Sequence, residues 1–108
     1  MRKLTDLNAK WLVPKDDGVE QIDAPFAPPD MVGIIIDCPM KLCDHRIRIF
    51  DPKAADHLEP MTRWNIIGFT YNTLTCHGIN GGPSSLHRPD GRRCHFWIRA
   101  GKVLMAAA

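Results

Sequence analysis

The chain has 108 residues, of which 44% are hydrophobic and 24% charged, with a formal net charge of +2. This length supports one modest core and not two, and the composition is that of a folded globule rather than a disordered segment. The mild charge falls short of the clustered basic face that marks a nucleic-acid binder, and no apolar run approaches the ~20 residues that cross a bilayer.

The opening "KLTDLNAKWLV" sets Leu4, Leu7, Trp11 and Leu12 at roughly helical spacing. Thr5 or Asp6 can cap a turn, and Pro14 ends the pattern early, so a short helix is expected. From residue 14 to 30 the prolines, acids and Gly18 read as an extended arm lying on the domain. The chain therefore divides into residues 1–30, a short helix and arm, and residues 31–108, a β domain. "MVGIIID" is a continuous apolar, β-branched run of strand length. "HRIRIFD" alternates, with Ile47 and Ile49 on one face and His45, Arg46 and Arg48 largely on the other. These two strands flank "CPMKLC".

"PKAADHLEPMT" reads as a loop or a single helical turn, and "RWNIIGFT" and "NTLTCHGI" as strands. "NGGPSSLHRPDG" reads as a loop, because it lacks the Lys-Ser/Thr ending of a phosphate-binding loop. "CHFWI" and "KVLMA" flank "RAG", with Gly101 free to take a positive φ, which makes a hairpin. The fold class is mainly β: a small single-domain antiparallel sheet or sandwich of five or six strands with a C-terminal hairpin.

The opening residues carry acids and amides where a signal peptide has an apolar core, which points to the cytoplasm. In that reducing compartment four cysteines are thiols or metal ligands sooner than disulfides. Cys38 and Cys43 have four residues between them, with a proline after the first. A turn between two strands can aim both sulfurs at one ion, as in the knuckles of structural zinc sites. A closed site wants four ligands, and Cys94 and His95 are the obvious second pair. Successive residues of a regular strand point to opposite faces, so both bind only if Cys94 still belongs to the loop or a bulge turns the pair.

His45, Cys76, His77 and His87 are the alternates. Against ligation stand a core role for Cys76, a small hydrophobe inside a strand, and packing of His95 against Trp97. Mixed thiolate and imidazole donors suit zinc, and the binding free energy of a structural zinc becomes folding free energy in a chain this small. No catalytic residue is assigned. "TCHG" resembles in outline a reactive cysteine beside a base, but adjacent strand residues diverge. Arg46, Arg48, Arg92 and Arg93 are the candidate phosphate contacts, with Trp64, Tyr71 or Trp97 for stacking.

The order "LTDLNAKWL", "GIIIDCP", the tryptophan strand running into "GFTYNTLT", and "CHFWIRAGKV" resembles a family of small phage and prophage proteins of unknown function, some of which carry the misleading label ammonia monooxygenase. The resemblance spans most of the chain. Its most specific parts are the Cys-Pro knuckle and the terminal aromatic hairpin. It implies a zinc site carried over to Cys38, Cys43, Cys94 and His95, a phage or prophage origin, and residence in the bacterial host cytoplasm. The family knuckle is often tighter, Cys-Pro-Cys or Cys-Pro-x-Cys, so Met40, Lys41 and Leu42 widen it here and His45 gains ground against Cys43. Relatives tend to read Ser-Pro-Ser-Ile where this chain has "CHGI". The family has no established reaction, and the resemblance implies none. The expected function is a zinc-stabilised interaction module whose partner is a host or phage protein. A nucleic-acid binder and a metal-dependent hydrolase are the alternatives.

Overall fold

A computed structural model describes residues 2–37, 46–55, 57, 63–78, 84–87 and 93–105, with residues 2, 77, 78, 84–87, 93–95 and 105 described by their backbone. The chain is mainly β, and no α-helix occurs among the described residues. In chain order the elements are β1 (Arg2–Lys3), a 3-10 turn (Leu4–Leu7), β2 (Lys10–Lys15), β3 (Gly18–Ile22), β4 (Gly33–Asp37), β5 (Arg46–Phe50), β6 (Trp64–Ile67), β7 (Thr75–Gly78), β8 (Ser84–His87), β9 (Arg93–Arg99) and β10 (Lys102–Met105).

They form two antiparallel sheets. One runs β3-β2-β4-β5. The other runs β1-β10-β9-β7-β6, with β8 also paired to β9. Trp11, Ile34, Ile36, Ile47 and Ile49 of the first sheet share a core with Trp64, Cys76, Phe96, Ile98 and Val103 of the second. Leu4 and Leu7 of the 3-10 turn are buried in the same core. Trp64 meets Phe96 edge-on at 5.2 Å between ring centroids, and Trp11 stacks on Tyr71 at 4.6 Å while its Nε1 donates to the Ala24 carbonyl. Stacked and edge-on pairs of this kind add to what area burial alone contributes.

The β4 run is buried on both faces, as its unbroken apolar sequence implies. Ile34 and Ile36 face the shared core. Ile35 joins Leu12, Phe50 and Ala54 in a smaller cluster on the outer face. Residues 51–55 cover that cluster. Arg63 holds them by donating from its guanidinium to the carbonyls of Asp51 (3.1 Å), Ala54 (2.8 Å) and Ala55 (2.5 Å). The guanidiniums of Arg48 and Arg63 both lie over the Phe50 ring, at 5.9 and 5.7 Å from its centroid. Gly33 is required at the β4–β5 contact, since a Cβ there would lie 2.3 Å from the Ile49 carbonyl oxygen.

Three expectations are corrected. The helix is confined to one 3-10 turn, and Trp11 and Leu12 belong to β2. The first part of the expected arm is the β2–β3 hairpin, turned at Asp16 and Asp17. Pro14 is tolerated inside β2 because β4 pairs only with Lys10 to Leu12, so a missing N–H at Pro14 interrupts no ladder on that side. The region read as one loop contains β8, which pairs with β9 from Ser84–Phe96 to His87–Arg93. The register of β8 on β9 is offset by six residues from that of β7 on the same strand.

The C-terminal hairpin forms as expected. Arg99 pairs with Lys102 across Ala100 and Gly101, which both have positive φ, the twist that a two-residue turn between strands demands. A Cβ on Gly101 would lie 2.5 Å from the Tyr71 carbonyl oxygen, so this turn also docks closely on residues 71–72.

Candidate functional site

The segment expected to form a knuckle connects two paired strands. β4 and β5 align from Gly33–Phe50 to Asp37–Arg46, and the segment that joins them carries Cys38, Cys43 and His45. Those three residues, and Arg92, lie outside the described residues. The last rung is closed by an ion pair, with Arg46 Nε 3.2 Å from Asp37 Oδ1, and Arg46 also donates to the Asn8 carbonyl. Arg46, expected as a phosphate contact, is thus engaged in closing the sheet. Arg48 is exposed and lies over Phe50.

Cys94 and His95 are both within β9, in a ladder that runs without a bulge against Leu86 and Ser85. Neither condition for a shared direction is met by the backbone. Successive positions of such a ladder belong to opposite faces, so Cys94 shares its face with Phe96 and Ile98, and His95 shares its face with Trp97. His77 pairs across from Asn65, and His87 from Arg93, itself a candidate phosphate contact. Among the described residues no group of three or more histidine, cysteine, aspartate or glutamate side chains is placed to hold a metal ion.

Cys76 is fully buried in the shared core. Burial, with a smaller contribution from the Asp51 carboxylate, pushes its thiol up to about 12. A thiol so far from ionisation is a poor nucleophile and a reluctant zinc ligand. Two of the expected stacking residues already have ring partners: Trp64 is buried against Phe96, and the half-buried Tyr71 lies flat on Trp11. Burial and the nearby Asp23 carboxylate raise the Tyr71 phenol. Trp97 is half-buried with the Arg99 guanidinium 5.4 Å from its ring centroid. His57, in the loop after β5, has Nε2 2.6 Å from the Asp17 carbonyl oxygen, tying that loop to the β2–β3 turn.

A site that the sequence did not signal lies at the end of β6. A groove of about 450 Å³ is walled on one side by Ala27, Pro28, Pro29 and Met31 and on the other by Ile66 to Phe69, with Asp51 and Lys53 beside them. The exposed large hydrophobics among the described residues are Phe26 (65%), Ile67 (58%) and Phe69 (76%); Ile67 and Phe69 line the groove, and Phe26 precedes Ala27 in the chain. Ala27 N–H donates to the Phe69 carbonyl at 2.7 Å, which joins the walls at one end. The apolar residues here follow no strand or helix period, so periodicity could not have found them. The nearest signal was the proline-rich "APFAPPD", whose end turns, with Met31 N–H donating to the Pro28 carbonyl at 3.0 Å. No family model, curated protein or solved structure matches the chain.

Proposed function

We propose that this chain is a small binding module of phage or prophage origin, with a β fold stabilised by a structural zinc ion, that engages a host or phage protein in the bacterial cytoplasm. The observation that carries the binding reading is the exposure of Ile67 and Phe69 on the lining of one groove, with Phe26 exposed next to Ala27, another lining residue. Single exposed apolar residues need no explanation, whereas a group of them around a concave surface marks an interaction site.

The zinc reading is supported by the donor chemistry and by where it falls in the chain. Cys38 and Cys43 lie in the connection of a five-rung hairpin, and thiolates with imidazoles suit zinc. The unbulged start of β9 admits Cys94 or His95 to one ion sooner than both, which makes His45, His77 or His87 the source of the remaining donor. The experiment is elemental analysis of protein purified without an affinity metal. One zinc per chain is expected, reduced by Cys38→Ser and by Cys43→Ser. Well-folded protein without metal would remove zinc from the proposal.

A further inference from the structure

The groove is lined by Ile66, Ile67, Gly68 and Phe69 in succession. Ile66 and Ile67 are the last two residues of β6, and successive residues of a strand point to opposite faces, so a groove touching both lies at the edge of β6 and continues onto Gly68 and Phe69 of the turn that follows. Among the described residues β6 pairs with β7 alone, and its other edge carries only the bridge between Phe50 and Arg63 at its start. An open sheet edge presents backbone donors and acceptors to any strand that can reach them, and natural proteins ordinarily blunt such edges with charge or cover. This one is flanked by apolar side chains instead.

The shape of the site selects the occupant. The groove is lined both by the 27–31 segment and by the turn after β6, so an occupant of the edge lies between the two, a space that suits a single extended segment better than a second copy of the sheet. Lys53 stands beside the groove, exposed, and makes no ion pair among the described residues. The neighbouring Asp51 carboxylate is engaged, accepting the Lys53 backbone N–H at 2.9 Å. An occupant carrying a carboxylate next to its apolar residues complements that ammonium.

We propose that the groove takes an extended peptide segment of a partner protein, which adds as a strand to β6, seats apolar side chains against Ile66, Ile67 and Phe69, and places an acidic residue on Lys53. Strand addition draws affinity from main-chain hydrogen bonds and specificity from alternate side chains. The inference rests on the binding reading above and is independent of zinc.

The test is selection of a displayed random hexapeptide library on the full-length protein, followed by titration of a fluorescein-labelled copy of the enriched peptide. Enriched sequences are expected to alternate apolar, β-branched or aromatic residues and to include one acid. Ile67→Glu is expected to weaken the labelled peptide by about tenfold or more, the loss of one apolar anchor in an interface. Lys53→Glu is expected to exchange the selected acid for a lysine or arginine. Both residues are exposed, so the variants should keep the wild-type circular dichroism, and peptide binding should slow amide exchange in β6. No enrichment would overturn the proposal. So would enriched peptides with helical spacing, affinity indifferent to both variants, or a concentration-dependent dimer abolished by Ile67→Glu. A metal-free but peptide-binding protein would leave this inference standing and remove the zinc.

Discussion

The two hairpins β4–β5 and β9–β10 solve the same problem at different lengths. The second pairs four residues on each strand and closes with Ala100 and Gly101, the two-residue positive-φ turn that matches strand twist. The first pairs five on each strand and ends on an ion pair, Arg46 with Asp37, yet its strands are joined by residues 38–45. Pairing alone does not require a connection of that length. The difference directs attention to the longer connection, whose sequence includes two of the four cysteines and one of the five histidines.

The comparison breaks most sharply if residues 38–45 are replaced by Asn-Gly. Where the segment supplies zinc ligands, the shortened protein is expected to lose its metal and most of its stability, read by chemical denaturation. A shortened protein at least as stable as the parent would show that the segment only connects. Next in size are the glycines that each hairpin needs. Gly33→Ala forces a Cβ onto the Ile49 carbonyl, and Gly101→Val adds the strain of positive φ to a clash with residues 71–72. Each is expected to cost roughly 2–4 kcal/mol, combining overpacking with backbone strain.

The pH dependence sharpens the account of the shared core. Because the Cys76 pKa is raised in the folded state, its contribution to stability is fully present below the unfolded value near 9 and is lost as pH rises towards the folded value of about 12. The expected slope from this group is at most about 1.4 kcal/mol per pH unit. Cys76→Ala should flatten it, measured by urea unfolding across that range. Smallest is the Lys10–Asp23 ion pair at 3.0 Å, whose aspartate is largely exposed. Lys10→Ala should cost less than about 1 kcal/mol and show salt dependence.

How far the sequence could be read depended on whether a residue's role was local. Gly33–Asp37 and the alternation of Ile47 and Ile49 follow from side-chain period, and Gly101 from the turn's need for positive φ. Phe50 breaks the alternation: it is buried with Ala54 of the segment that follows β5, a segment without strand period that is held by Arg63 from further along the chain. Pro14 argued against a strand because a single sequence does not reveal how far the neighbouring strand reaches. Ser84–His87 looked like a loop because its pairing comes from β9 rather than from its own propensity. The metal candidates were legible from residue type and spacing, the language of coordination. The groove was not, because Ala27 and Phe69 come together through a backbone hydrogen bond between segments that carry no shared motif.

The most direct test of a zinc-dependent fold is a chelator titration in which zinc release and the near-ultraviolet circular dichroism of the Trp11 and Trp64 core are followed together. The account predicts one zinc released per chain, with the aromatic signal lost over the same range and restored by adding zinc back. Zinc stripped from a protein that keeps its aromatic signal and its unfolding midpoint would contradict it.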